Sequence, residues 1–207
     1  MKALLLKDIL VMKQQGKMYL LILVIYSIYS FLLKDSSMII TMIALFGFMT
    51  MFNSFSYDEK SKWNLFALST TISRNDIVVG KYLFNLVITI GFSLLFLPVI
   101  LFLAINSDVG LIESLKLIAI VSCISVVIAN ITLPVIFKFG IEKARIATML
   151  IFVIPVLAPY VMQFIPSDFV IPPIIANYLP MISGILLLLF TYFSIKLSMK
   201  ILKSKDL

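Results

Sequence analysis

Six long apolar stretches alternate with short polar segments along the chain. None of them contains Asp, Glu, Lys or Arg, and each has between 16 and 24 residues. A helix of about 20 apolar residues crosses the hydrocarbon core of a bilayer, because each residue adds about 1.5 Å along its axis. The pattern therefore predicts an all-α integral membrane protein with six transmembrane helices. The predicted spans are Met18–Leu33, Ser36–Tyr57, Tyr82–Ile105, Leu117–Phe137, Ile146–Ile165 and Tyr178–Ile195.

An amphipathic segment precedes the first span. Its apolar side holds Leu5, Leu6, Ile9, Leu10 and Met12, and its polar side holds Lys7, Asp8, Gln14 and Gln15. This pattern is typical of a helix that lies in the membrane interface. We therefore expect an interfacial helix over residues 1–17, with a simple extension of the first span as the alternative.

The basic residues predict the orientation of the spans. If the N-terminus is cytoplasmic, 15 of the 17 Lys and Arg residues fall on the cytoplasmic side, and only Lys34 and Lys116 fall outside. Short cytoplasmic loops of membrane proteins carry such an excess of positive charge. Both termini are therefore predicted to be cytoplasmic, in a multi-pass protein of the cytoplasmic membrane.

The composition limits the chemistry that the chain can perform. Hydrophobic residues make up 62% of the chain and charged residues 13%, histidine is absent, and Cys123 is the single cysteine. A membrane-embedded enzyme would need a nucleophile with its base, or a metal cluster, within the spans. The sequence offers neither, and the basic residues flank the apolar stretches rather than forming a nucleic-acid surface. We expect no catalytic site, no metal site and no cofactor in this chain.

Two further features bear on transport. The segment 166–177 is apolar but contains Pro166, Pro172 and Pro173, so it predicts a broken external element that lies in or re-enters the outer leaflet. The predicted spans carry neutral polar side chains, which are either interhelical hydrogen-bonding groups or polar contacts along a substrate path. The candidates for a substrate path are Asn53, Asn85, Asn130 and Gln163.

The loop between the second and third spans, residues 58–72, is the densest polar segment. Asp58 and Glu59 precede Lys60 and Lys62, an order that suits the two ends of a short helix. This order predicts a short cytoplasmic helix that begins at Asp58.

Aromatic residues follow within the same loop. Trp63, Phe66 and Ala67 are spaced to share one face of a helix, which could dock on another protein or anchor the loop at the lipid headgroups. Ser73 and Asp76 then match a capping box with Asp in place of Glu. They predict a helix that starts at Ser73 and continues into the third span.

The loop resembles a known family. The matching residues are Tyr57 to Trp63, Leu68-Ser69, Ile72-Ser73-Arg74, Ile77-Val78 and Lys81-Tyr82. This pattern resembles the small permease subunits of ABC exporters of the second type, nearest to those that export phenol-soluble modulins and related amphipathic peptides. The family often has Leu-Pro where this chain has Thr70-Thr71.

The resemblance implies a permease half in a bacterial cell membrane that pairs with a second copy. Each copy would sit on a separate cytoplasmic subunit that binds ATP and Mg. The cargo would be an amphipathic peptide or lipophilic compound, and the alternative is a stand-alone immunity protein that sequesters such peptides. By this resemblance the interface with the ATPase subunit comprises Asp58, Glu59, Lys60, Lys62, Trp63, Asn64 and Phe66.

Overall fold

The computed structural model describes residues 2–33, 37–70, 72–106, 110–150 and 173–205. The secondary-structure elements within these ranges are all helices, in agreement with the predicted all-α class. They are α1 (Lys2–Gln14), α2 (Gly16–Leu33), α3 (Ser37–Lys60), α4 (Trp63–Leu68), α5 (Arg74–Asn106), α6 (Leu111–Phe139), α7 (residues 141–150) and α8 (Pro173–Lys203).

Four described helices are long and apolar enough to cross a membrane. They contribute Ile40–Lys60, Arg74–Phe102, Leu111–Phe139 and Ser183–Lys203. The pair Lys2–Gln14 and Gly16–Leu32 passes the same test as one broken span with a bend of 61°. Most of the predicted span Ile146–Ile165 lies outside the described residues. The structure thus supports a multi-pass membrane protein with four or five described spans, while the number six and the orientation stay predictions.

The first two helices separate at Gln15. In α1 the side chains of Leu4 and Asp8 are buried, whereas Leu6, Ile9 and Leu10 are exposed. Leu6, Ile9 and Leu10 of the predicted apolar side therefore face away from the other helices, whereas Leu5 and Met12 of the same side pack against the bundle. The placement of α1 in the membrane interface stays a prediction.

Helix α5 is continuous over 33 residues, about 50 Å at the usual rise per residue. Ser73 and Asp76 form the predicted cap: Ser73 donates from its backbone N–H and its hydroxyl to the Asp76 carboxylate, at 3.1 and 2.7 Å. The Asp76 N–H donates back to the Ser73 hydroxyl at 3.1 Å. The predicted helix start is therefore confirmed.

Two clusters of buried apolar side chains hold the bundle together. One includes Met51, Phe55 and Leu133 and lies toward the end of the bundle that carries α4. The other is rich in aromatic rings and includes Phe46 and Phe92, whose centroids are 5.1 Å apart. Burial of such large apolar side chains fixes the packing of α3, α5 and α6.

The last helix begins earlier than the predicted span. Residues 173–177 of the predicted external element already belong to α8, which is continuous from Pro173 to Lys203. Residues 166–172 lie outside the described part of the chain. A re-entrant course for the segment 166–177 stays a prediction.

Candidate coupling site

The predicted coupling helix is divided in two. Helix α3 continues through Asp58 and Glu59 to Lys60, and the Ser61 N–H still bonds the Tyr57 carbonyl at 2.9 Å. The chain then breaks at Lys62, which has a left-handed backbone with φ 51°, and α4 starts at Trp63. The expectation that Asp58 begins the short helix is therefore wrong. Asp58 instead lies in the last turn of a membrane-spanning helix.

Four charged side chains meet where α1, α3 and α5 converge. They form the ionic cluster, which consists of Lys7, Asp8, Asp58 and Lys81. The Lys81 ammonium lies 3.0 Å from an Asp8 oxygen and 2.5 Å from an Asp58 oxygen. Lys7 forms ion pairs with both carboxylates. The cluster has two positive and two negative charges and is therefore neutral.

The cluster is buried and hydrogen-bonded. Asp8, Asp58 and Lys81 are each at most 4% exposed. Ser54 donates to Asp8 at 2.8 Å and accepts from Lys81 at 2.5 Å. Such burial is tolerated only when each charge is paired, because an unpaired buried charge costs several kcal/mol. The two ammonium groups also offset the unfavourable position of Asp58 at the negative end of the α3 dipole.

Sequence reasoning missed this cluster. Lys7 and Lys81 were counted as flanking charges that orient the spans, and Asp58 as part of a docking surface. The available signal was Asp8, the single acidic residue of α1, together with Asp58 and Lys81 at the ends of two apolar stretches. Lys7 and Asp58 are 51 residues apart along the chain, and Asp8 and Lys81 are 73 residues apart. No local sequence pattern can therefore predict their contacts.

Helix α4 presents two different faces. Ala67 is fully buried, and the Trp63 ring is half-buried beneath the Lys7 ammonium at 4.7 Å from the ring centroid. Leu65 and Phe66 are 49% and 59% exposed. The spacing had suggested that Trp63, Phe66 and Ala67 share one face of α4. They do not, because Ala67 is buried and Phe66 is exposed. The Phe66 ring projects outward while remaining 5.4 Å from the Trp63 ring.

Exposed residues lie at the end of α3, at the break and on the outer side of α4. We call the following five the docking surface: Glu59, Lys60, Lys62, Leu65 and Phe66. Beside it a shallow cleft opens between the ends of α3, α6 and α8, with Asn64 and Glu59 on its rim and Phe55 and Phe137 at its floor. Of the residues predicted at the ATPase interface, Asp58 is thus buried in the ionic cluster, and Trp63 and Asn64 are half-buried.

The predicted substrate-path residues lie in several places. Asn53 donates to the Tyr19 hydroxyl at 3.0 Å and also to Gln15. Asn130 donates to the Thr191 hydroxyl at 2.7 Å. Both amides thus make the interhelical hydrogen bonds that were the alternative interpretation. Asn85 is buried and lines a small cavity between α3, α5 and α6, and Gln163 lies outside the described residues.

A second polar contact joins α5, α6 and α8. The Tyr82 hydroxyl lies 2.5 Å from the Ser194 hydroxyl and 2.9 Å from that of Ser198. Ser194 in turn donates to the Asn130 carbonyl. Lys81 and Tyr82 are adjacent, so one turn of α5 faces both the ionic cluster and α8.

The site thus combines a buried, neutral ionic cluster with an exposed helix face beside it. Over the described residues, no group of three or more His, Cys, Asp or Glu side chains is placed to hold a metal ion. Residues 3–203 match the family model described as ABC-2 family transporter protein. No curated protein and no solved structure matches the chain.

Proposed function

This chain belongs to the ABC-2 transporter family, so it is a membrane permease that works with an ATP-binding subunit, and we propose that it exports amphipathic peptides or similar lipophilic compounds. ATP hydrolysis would take place in the partner subunit, and this chain would supply the path and the coupling contact. A second copy of the chain would complete the path.

The observation that carries the coupling role is the exposed pair Leu65 and Phe66 on a helix with a fixed base. Both side chains project from α4, whose inner face is held by buried Ala67 and by the contact of Trp63 with Lys7. Exposed apolar side chains in a polar surround are typical of protein interfaces. Because α4 is only six residues long, it depends on this base for its orientation.

The charges around this pair favour a specific kind of partner surface. Glu59, Lys60 and Lys62 precede the apolar pair along the chain and are all exposed. A partner cleft with an apolar floor and a polar rim of mixed charge would complement them. We place the ATP-binding subunit there.

The cargo proposal rests on the polarity of the helices. The charged side chains of the described bundle interior belong to the ionic cluster at one end, and the other buried polar groups are neutral, among them Asn85, Thr89 and Asn130. Sugars and polyphosphates require dense hydrogen bonding or cationic contacts. The chain also has 11 Met residues, whose flexible side chains can adapt to different apolar shapes. A path lined by apolar side chains and a few neutral polar groups suits amphipathic or lipophilic molecules.

Association with the ATP-binding subunit is tested by Phe66→Ala. Truncation of a buried aromatic anchor typically costs about 2 kcal/mol or more, which corresponds to roughly thirtyfold weaker binding. Phe193→Ala is the matched control, because Phe193 is similarly exposed, at 65% against 59% for Phe66, but lies on α8 among apolar side chains. Copurification of the partner should fall with the first variant and not with the second. If the wild-type chain brings down no ATP-binding subunit, the alternative of a sequestering immunity protein is preferred.

The cargo is tested in proteoliposomes that contain the chain and its ATP-binding subunit. Short amphipathic helical peptides should stimulate ATP hydrolysis. Stimulation by soluble oligosaccharides or nucleotides, without any response to peptides or lipophilic compounds, would reject the proposed cargo.

A further inference from the structure

The helix α1 is attached to the bundle by apolar contacts and by charges. Leu4 is buried, and Leu5 and Met12 are partly buried against the aromatic-rich cluster, while Leu6, Ile9 and Leu10 are exposed. Leu4 packs against α5 at Gly80, where a Cβ would lie 3.5 Å from the Leu4 Cβ. The ionic cluster adds polar contacts of α1 with α3 and α5, through Lys7 and Asp8. The position of α1 therefore depends on charge pairing as well as on apolar burial.

The same cluster spans the break between α3 and α4. Lys7 pairs with Asp58, which precedes the break, and its ammonium lies over the ring of Trp63, which follows it. Ser61 and Lys62 join α3 to α4 and belong to neither helix, so this short hinge would otherwise allow α4 to change its angle to α3. Lys7 thus contacts both sides of the hinge.

Lys81 connects this hinge to the long helix α5. Its ammonium pairs with Asp8 of α1 and Asp58 of α3, and it lies 4.7 Å from the centroid of the Phe55 ring. Asp58 is therefore shared by two ammonium groups from two different helices. Loss of one carboxylate would leave an excess positive charge in a buried site, which neither helix could retain in place.

We propose that the ionic cluster positions α4 on α1 and α5, so that a displacement of α4 by the ATP-binding subunit moves α5 instead of bending the chain at Lys62. Lys7, Asp8, Asp58 and Lys81 are in this role positioning residues and do not contact the cargo. The inference rests on the proposed coupling role of α4.

The first test separates binding from coupling. In proteoliposomes saturated with the ATP-binding subunit, Asp58→Asn should keep the partner bound and should retain basal ATP hydrolysis, but peptide-stimulated hydrolysis should fall about tenfold, in the usual range of coupling between two sites. Glu113→Gln is the control, because Glu113 is an exposed carboxylate in the first turn of α6 and does not belong to the ionic cluster. If the wild-type chain does not bind the ATP-binding subunit, the proposed function is contradicted. If peptides stimulate ATP hydrolysis equally in wild type and Asp58→Asn, only this inference is overturned.

A compensating variant guards against simple misfolding. Asp58→Asn combined with Lys81→Gln removes one charge of each sign and leaves the Lys7 and Asp8 pair. Since the cluster is then neutral again, the double variant should recover more stimulation than either single variant. Additive losses in the double variant would show that the charges do not act as a unit and would overturn the proposal.

A disulfide tests whether α1 and α5 move together. Leu4→Cys and Gly80→Cys, introduced with Cys123→Ser, place two Cβ atoms about 3.5 Å apart, within the range of disulfides. In our proposal α1 and the adjoining turn of α5 move together. The oxidised protein should therefore retain peptide-stimulated ATP hydrolysis. Loss of stimulation on oxidation that returns with reductant would overturn it.

Discussion

The guanidinium of Arg74 donates a hydrogen bond to the carbonyl oxygen of Lys203 at 2.7 Å. This contact connects the start of α5 to the end of α8, across 129 residues of sequence. Arg74 also donates to the Leu202 carbonyl at 3.2 Å. A cation at these free carbonyls complements the negative end of the α8 dipole. The Arg of the loop motif therefore has a structural role in the end of the last helix.

Arg74→Ala should destabilise the protein by about 1–2 kcal/mol, because two charge-assisted hydrogen bonds and the dipole interaction are lost. In detergent this should lower the melting temperature by several degrees. Arg145→Ala is the control, since Arg145 is exposed on α7. Equal melting temperatures for the two variants would contradict the proposed role of Arg74 in capping α8.

Tyr82→Phe should weaken the packing of α5 on α8. The variant loses the hydroxyl that contacts both Ser194 and Ser198, and interhelical hydrogen bonds of this kind average about 0.6 kcal/mol. We expect a loss of about 1 kcal/mol, measured by thermal unfolding in detergent. Ser198→Ala should cost less, since Ser194 remains as a partner of Tyr82. A larger loss for Ser198→Ala than for Tyr82→Phe would contradict this ranking.

Gly47 allows α3 to approach α6. A Cβ at this position would lie 2.9 Å from the Ser125 hydroxyl oxygen, closer than ordinary contact. Gly47→Leu should therefore separate the two helices and destabilise the fold by about 1–3 kcal/mol through overpacking. Gly91→Leu is the matched control, because a Cβ built at Gly91 on α5 would meet no atom within 4 Å apart from its chain neighbours and the backbone of its own helix.

The Ser125 contact can be tested directly. Gly47→Ala alone should cost less than Gly47→Leu, and Ser125→Ala combined with it should recover stability by removing the hydroxyl that the new methyl group meets. If the double variant is less stable than Gly47→Ala, the clash with Ser125 is not the cause of the cost.

The predicted orientation rests on the distribution of basic residues and can be tested by reporter fusions at Ser61 and Asp108. The first position lies in the loop between the second and third predicted spans, and the second lies between the third and fourth. A reporter active in the cytoplasm should work at Ser61, and a reporter active outside should work at Asp108. Extracytoplasmic activity at Ser61 would contradict the predicted topology.

The described ends of the helices agree with a bundle whose predicted cytoplasmic loops share one side. Glu59, Gly140 and Lys205 line one cleft, although they come from three different predicted cytoplasmic segments. Alternation of spans brings such segments together whichever side of the membrane they face. The structure therefore indicates which loops lie on the same side of the bundle. Which side of the membrane they face is predicted from the positive charges.

The sequence by itself determined the class of the protein, the approximate positions of its apolar helices and the helix start at Ser73. These properties depend on local composition: an uncharged run of about 20 residues is costly to place in water, and a cap involves side chains three residues apart. The residues of the loop motif also carried the resemblance to ABC permeases of the second type, and the match over residues 3–203 shows the ABC-2 transporter family without its cargo.

Tertiary structure decided where the charged residues of that motif act. Asp58 was expected on a docking surface, and it is buried because Lys7 and Lys81 reach it from distant parts of the chain. Phe66 and Ala67 were expected on one face, and they are separated because the packing of α4 buries only Ala67. Burial of a charge depends on partners that helix packing supplies, and no spacing within one loop contains that information.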